Sequence, residues 1–504
     1  MKRKVLLSGF IFVLSIFVLS ACATNDDEPA PNENSNSMEE EKEDDSDMDH
    51  DMEGHMDHDE EVSLNNSTGE NELEIPPELE SDNEDEVAYT VRAQKGETEI
   101  FDGTETKTYG YNGDFLGPVL RFNKGDKVKI NTINELDEET TFHWHGLEVP
   151  GEADGGPHES LQPGEEKMIE FEVTQEASTL WFHPHPDGKT AEQVYNGLAG
   201  LVYIEDDNSN NLDLPNKYGK NDIPLIFQDR TFDDNKQLNY SAAMNEDGTI
   251  GETSLINGTL NPKLTVNQEK VRLRLLNGSN ARNYTFKLNT GDSFVQVATD
   301  GGFLNEPKKL DEITLTPSER AEIVIDFSKF NTEDELALIN TEDEDGSILL
   351  PFEVTDQTGK DSRVPEKLND FSITEEEIAL PVSKEVEFFG MMDKVTINGK
   401  KFDPNRIDFT QEQGETEVWE IYNKPDDMGG MIHPFHIHGA QFKVLSRDGE
   451  NPSENEQGWK DTISVEPEET VQVAVQFKEK GVYMFHCHNL EHEDNGMMGQ
   501  VKVE

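Results

Sequence analysis

Two stretches far apart in the chain end in the same way. Trp181-Phe-His-Pro-His185 leads into Asn196-Gly-Leu-Ala-Gly200, and Met484-Phe-His-Cys-His488 leads into Asn495-Gly-Met-Met-Gly499. A second recurrence reaches the middle of the chain: an Asn-Gly turn before a strand stands at Asn112-Gly113, Asn257-Gly258 and Asn398-Gly399. Self-similarity at such intervals marks repeated units, and missing it would misread the whole fold. The units are built of short apolar-alternating runs, such as Val271-Arg-Leu-Arg-Leu-Leu276 and Val418-Trp-Glu-Ile-Tyr422, broken by Gly, Asn, Asp and Pro. That pattern predicts an all-β chain of three Greek-key β-sandwiches over 86–206, 212–356 and 384–504, with 357–383 as a linker. A chain of 504 residues has room for them at about 150 residues per domain.

The repeats differ where chemistry would sit. Cys487 is one of two cysteines and has a histidine on each side; His492 and Met497 follow. Thiolate, imidazole and a weak axial thioether make up the donor set of a blue-copper electron-transfer site. On an extended strand Cys487 would face one metal while His486 and His488 face the other way, towards a second centre. The first unit has Pro184 and Leu198 in place of Cys487 and Met497, so it reads as a copy without the blue-copper site that keeps the paired histidines. Four His-x-His pairs result: His143/His145, His183/His185, His436/His438 and His486/His488. On strands each pair puts two imidazoles on one face. Eight neutral nitrogen donors without carboxylates suit three copper ions better than zinc, iron or calcium. Between Pro186 and Ile432 there is no histidine, so the middle unit reads as a structural spacer.

The N-terminal part is of another kind. Met1 to Ala21 has a basic start and an apolar run, the pattern of a secretory signal peptide (1–21). Its end, Leu19-Ser-Ala-Cys22, resembles the lipobox of bacterial lipoproteins, in which the cysteine carries the lipid; the alternative is a cleaved, secreted protein. Both readings put the chain outside the cytoplasm. Residues 22–85 contain no Phe, Tyr or Trp, and from Ala23 to Asp85 there are 26 acidic residues against one lysine. Such a segment reads as a disordered acidic tether. Within it Met48-Asp-His-Asp-Met-Glu-Gly-His-Met-Asp-His-Asp59 reads either as a copper-collecting run or as an ordinary solvated tail. The net charge of −65 excludes nucleic acid as a partner and disfavours anionic membrane surfaces, leaving the lipid as the only membrane contact.

Taken together, His143-Trp-His-Gly146, His183-Pro-His185, His433-Pro-Phe-His-Ile-His-Gly439 and His486-Cys-His488 with His492 and Met497 resemble the three-domain multicopper oxidases. The loop His143–Gly156, Gly188-Lys-Thr190 and Glu491-His-Glu-Asp494 resemble most closely their bacterial copper-tolerance branch, the cuprous oxidases. The resemblance covers about 86–504. It implies cupredoxin-like domains and four copper ions: type 1 on His433, Cys487, His492 and Met497; type 2 on His143 and His436; and a type 3 pair on His145, His183, His185, His438, His486 and His488. It also implies reduction of O2 to water with electrons entering at Cys487, and proton donation by Asp154 and Glu493, each otherwise a turn or surface carboxylate. Asp461 reads either as the partner that orients a type 1 histidine or as a plain strand-end aspartate. For the reductant, Met431 matches a methionine of the family's Cu(I) site. The family's aspartate there is Gly429 here, with Asp426 and Asp427 close by, and the family's Met-rich insertion shrinks to Phe388-Phe-Gly-Met-Met-Asp393. Three readings stand: a Cu(I) oxidase, a laccase-like oxidase of phenols, aromatic amines or Mn(II), and a non-enzymatic copper-sequestering lipoprotein. The complete donor set speaks against the third, the branch resemblance favours the first, and a monomer is expected.

Overall fold

A computed structural model describes residues 62–83, 86–245, 247–342, 346–360, 362–425 and 429–504. In the first domain, strand Val87–Phe101 buries Tyr89, Val91 and Ala93 on alternate positions. It runs parallel to Lys127–Asn134 and antiparallel to Thr104–Tyr111, and Glu166–Glu172 completes that sheet. The facing sheet is Val119–Asn123, Gly200–Glu205 and Ser178–Phe182. The third domain repeats the plan with five strands a side: Val382–Phe389 is parallel to Thr416–Lys424, and Gly481–Cys487 lies between Met498–Val503 and His433–Ile437. The middle domain centres on Lys270–Asn277, parallel to Asp222–Arg230 and antiparallel to Arg320–Asp326.

Each sandwich encloses its own core: Val91, Phe122 and Ile130 in the first, Leu225, Leu273 and Phe286 in the second, Trp419, Phe435 and Phe485 in the third. Burying each such side chain stabilises the fold by about 1.5–3 kcal/mol. Smaller apolar clusters join the domains. Trp181, Tyr203, Ile226 and Leu276 seal the first to the second, and Ala191, Val194 and Leu490 seal the first to the third.

Two expectations, on residues 62–83 and on the paired histidines, need correction. Residues 62–83, assigned above to the disordered tether, form a strap. Its strand Asn71–Glu72 pairs in parallel with Pro262 and Lys263, and Leu64 and Leu73 are buried in the middle domain's core. These few apolar residues suffice because the backbone is paired along its length: Leu73 and Leu79 donate to Lys263 and Val119. In the linker 357–383, Leu368 is buried and its N–H is bonded to the Asn305 carbonyl. The His-x-His pairs do not lie wholly within strands: His436/His438 and His486/His488 straddle strand ends, His183/His185 follows one, and His143/His145 lies outside the named strands. His183 follows Ser178–Phe182, His438 follows His433–Ile437, and His488 follows Gly481–Cys487, while His143 and His183 form an isolated bridge. Strands that stop here open a gap between the first and third domains. The signal peptide, Cys22 and the Met/His run lie outside the described residues, as does Asp427. Among the described residues no helix is long and apolar enough to cross a membrane.

Candidate metal centres

Antiparallel pairing sets Phe435 opposite Cys487 and His436 opposite His486. Alternation then does what the sequence predicts. Cys487 turns into the third domain's core beside Met497 and Phe435, while His486 turns out into the gap. All eight histidines of the four pairs meet in that gap, each at most 1% exposed. The rings of His143 and His438 stack at 3.7 Å, and so do those of His145 and His436. His486 Nε2 lies 3.2 Å from His185 Nε2 and 3.1 Å from His438 Nε2. Ligating atoms of His143, His145 and His183 lie within 4.8 Å of one another, as do those of His143, His436 and His438, and of His185, His438 and His486. His488 stands with its ring 5.0 Å from His145 and 5.3 Å from His183.

The ring nitrogens divide by role. Nδ1 of His143, His183, His436 and His486 meets a main-chain carbonyl at 2.8–3.1 Å, which fixes the tautomer and points Nε2 inwards. Nε2 of His143, His183, His436 and both ring nitrogens of His488 are buried without a protein hydrogen bond. Buried polar nitrogens without partners are costly, and a cluster of them aimed at one space fits metal ions. Burial, then the neighbouring imidazoles, holds His145, His436 and His438 well below the ordinary histidine range, and burial brings His486 down to about 3. The rings are therefore neutral, the form that binds metal.

On the other face of the same strand, Cys487 Sγ lies 3.7 Å from His492 Nδ1, and the His433 and His492 rings are 5.3 Å apart. Met497 is fully buried beside them, and its carbonyl accepts the Cys487 N–H. Burial pushes the Cys487 thiol well up, so it ionises here only beside a cation. His492 Nε2 is buried without a protein partner. The donors fit one copper.

Both expected acids border the histidine cluster. Asp154 ends the short helix Gly151–Asp154, and its Oδ2 lies 2.7 Å from His438 Nδ1. Gly155 makes that turn possible at φ +83°, where a Cβ would fall 1.8 Å from the Phe142 carbonyl. Glu493, in helix Leu490–Asp494, sits 3.4 Å from His185 Nδ1 and 3.3 Å from His486 Nδ1. Burial, and then its acidic neighbour Asp494, raises its carboxyl well above the ordinary range. Asp461 is placed differently from the expectation. It meets His145 Nε2 at 2.9 Å and its carbonyl meets His436 Nδ1, both in the cluster, whereas His433 Nδ1 faces Asn423 Oδ1 at 3.0 Å. Both of these Asp461 contacts are with cluster histidines. Met431, expected at a Cu(I) site, is half-buried, and its carbonyl accepts from the same Asn423 side chain at 2.7 Å.

Sequence reasoning missed Asn423, and it missed the reach of the middle domain. Tyr240, Thr249 and Asn280 of that domain converge on the Glu491 carboxylate, next to His492. Arg320 grips Asp461 with two nitrogens. Neither residue carries a local motif; the nearest signal is the Trp459-Lys-Asp-Thr462 run, which marks Asp461 alone.

Family models described as multicopper oxidase match residues 92–209, 218–341 and 376–504. A multicopper oxidase of Staphylococcus haemolyticus is 55% identical over 88% of this chain and 95% of its own length. The crystal structure of a laccase from Pediococcus acidilactici superposes with a TM-score of 0.83 at 43% identity, over 88% of this chain and 96% of that one. The cell division protein FtsP of Escherichia coli is 34% identical over 86% of this chain and 92% of its own. Three relatives carry three different names, so the choice among activities rests on the donors present in this chain.

Proposed function

This chain belongs to the multicopper oxidase family, oxidoreductases that hold four copper ions and pass electrons to O2; on that footing we propose that its reductant is Cu(I), oxidised outside the cytoplasm in copper tolerance. Four Cu(I) ions would each give one electron, and one O2 with four protons would leave as two waters. The observation that supports this reading is that two methionines belong to segments bordering the type 1 residues. Met431 precedes His433 and shares Asn423 with it. Met392, 49% exposed, sits beside helix Leu490–Asp494, its carbonyl accepting from Asn495 at 3.4 Å. Thioethers select Cu(I) over harder cations. The Met/His run 48–59 supports the same reading from the sequence, as does the lipobox-like Cys22, which would tether the chain to the outer face of a membrane. Asp427 would supply the carboxylate that Gly429 lacks.

Bound copper supplies one-electron chemistry and O2 reduction; the chain supplies the rest. His433, Cys487, His492 and Met497 would hold the type 1 ion, with Asn423 keeping His433 in one tautomer. His486 and His488, flanking Cys487, make the covalent route to the eight-histidine cluster. Glu493, whose carboxyl burial raises, and Asp154, hydrogen-bonded to His438, would supply the protons.

A second reading has its own support. Only the short segment Phe388–Asp393 stands where the branch has its Met-rich insertion, and a laccase is among the similar structures. A more open type 1 site would admit phenols or aromatic amines. O2 uptake by copper-loaded protein, with Cu(I) and a phenol offered in turn, decides between them. We expect kcat/KM to favour Cu(I) by about tenfold or more, about 1.4 kcal/mol in the barrier; a preference for the phenol would overturn the proposal. Removing residues 38–61 should lower Cu(I) turnover at limiting copper and leave phenol turnover alone.

A further inference from the structure

We propose that Arg320, from the domain that has no histidine, is a positioning residue for the histidine cluster, setting His145 and His436 through Asp461. Arg320 is fully buried and touches all three domains. Its Nε donates to the Thr179 carbonyl of the first domain at 3.1 Å. Nη1 and Nη2 donate to the Ser318 and Asp300 carbonyls of its own domain at 3.0 and 3.2 Å. The two remaining donors go to Asp461 of the third domain, Nη1 to Oδ1 at 2.7 Å and Nη2 to Oδ2 at 2.5 Å. All five guanidinium N–H groups are thus used, in a planar fork that lysine cannot copy.

Asp461 passes that order on. Its Oδ1 meets His145 Nε2 at 2.9 Å and its main-chain oxygen meets His436 Nδ1 at 2.8 Å. These are the two rings that stack at 3.7 Å and 11°. Gln441 donates to Oδ2 at 2.7 Å, and Thr462 Oγ1 lies 3.1 Å from Oδ1. Behind Arg320, Ser318 Oγ lies 2.9 Å from Thr462 Oγ1, so a second contact of the middle domain bears on the same turn. The approach is close enough to require glycine: a Cβ on Gly146 would fall 2.5 Å from Asp461 Oδ2 and 3.1 Å from Arg320 Nη2. At the type 1 site, His433 takes as a partner Asn423 of its own, third domain. A residue that only stapled the domains together would affect both metal centres alike; one that positions His145 and His436 would affect the cluster and spare the type 1 site.

This inference rests on the metal-centre assignment above, and the test separates the two. Full-length Arg320→Lys and, as a shape-preserving partner change, Asp461→Asn would be copper-loaded beside wild type. Copper per chain, the type 2 electron paramagnetic resonance signal, the blue absorption and the thermal midpoint would be measured during titration with a Cu(I) or Cu(II) chelator. We expect the trinuclear copper to be lost at about 10–100-fold lower chelator concentration in both variants, with the blue absorption per chain unchanged. Parallel loss of blue and type 2 signals, or a lower thermal midpoint with wild-type copper retention, would overturn the proposal and leave a structural staple. If Arg320→Lys fails to fold, Asp461→Asn alone decides by the same criteria. Wild type that takes up no copper would instead sink the metal-centre assignment itself.

Discussion

The first and third domains carry the same loop in two conditions. Counting back from Asn196-Gly197 and Asn495-Gly496, Gln193 stands where the third domain has His492; counting back from His143 and His436, Thr140 stands where it has His433. With Pro184 for Cys487 and Leu198 for Met497, the first domain replaces every type 1 donor. The replacement is not a void. Thr140 Oγ1 donates to Gln193 Oε1 at 2.7 Å, and Gln193 Nε2 donates to the Glu139 carbonyl at 2.8 Å. Both residues are buried. A closed hydrogen bond fills the place of the imidazoles of His433 and His492, whose rings stand 5.3 Å apart in the third domain. Polar groups in a core either satisfy one another or await a ligand. The first domain took the former course and the third keeps a donor set that fits one metal ion, while the outward histidines of both still meet between them.

The sharpest way to break that contrast is at the thiol. Cys487→Ser gives the third domain an oxygen like the polar filling of the first. We expect the blue absorption to vanish and O2 uptake to fall by at least about 1,000-fold, about 4 kcal/mol in the barrier, with the thermal midpoint of the copper-free protein within a few degrees of wild type. Substantial residual oxidase activity would remove Cys487 from the electron route.

A smaller effect is expected at Glu493, for which the first domain has Val194 at the matching position. Glu493→Gln keeps size and removes the proton; kcat should drop about 100-fold with the blue absorption intact, and an unchanged kcat would dismiss the donor role. Neighbouring acids predict a stability trend. Burial pushes Asp494 up to about 8, and burial followed by the charge of Asp154 brings Glu159 up to about 7. Acids raised in the folded state stabilise it fully below their unfolded values near 4, and that contribution is lost as pH climbs through 7 and 8. The copper-free protein should therefore lose several degrees of thermal midpoint between about pH 6 and pH 9, and Asp494→Asn should flatten that slope.

What the sequence discloses follows from how local each signal is. The copper donors are legible because metal chemistry restricts them to a few residue types, and His486-Cys-His488 declares its two faces through strand alternation alone. The three sandwiches are legible because the turns repeat. Arg320 is not, since its partner Asp461 lies 141 positions away and arginines are common. Asp461 itself is visible in its motif, but which histidine it serves depends on how the chain turns after His438. The strap 62–83 is hidden by its own composition: it shares the acidic character of the tether, and only Val62, Leu64, Leu73, Ile75 and Leu79 separate it from a solvated tail.

The smallest expected effect tests the filled site directly. Thr140→Val keeps the shape but removes the hydroxyl, leaving Gln193 Oε1 buried without a donor. That should cost about 1–3 kcal/mol, read as a lower urea midpoint, while copper per chain, blue absorption and turnover stay at wild-type values. The isolation is expected because Thr140 and Gln193 bond to each other and to Glu139, not to a cluster histidine. Its neighbour Thr141 supplies the contrast, since Thr141 Oγ1 accepts the His185 N–H at 2.7 Å. Thr141→Val should therefore disturb the cluster where Thr140→Val does not. Equal loss of cluster copper in both would mean that the emptied domain still braces the metal, and that its hydrogen-bonded filling is part of the site.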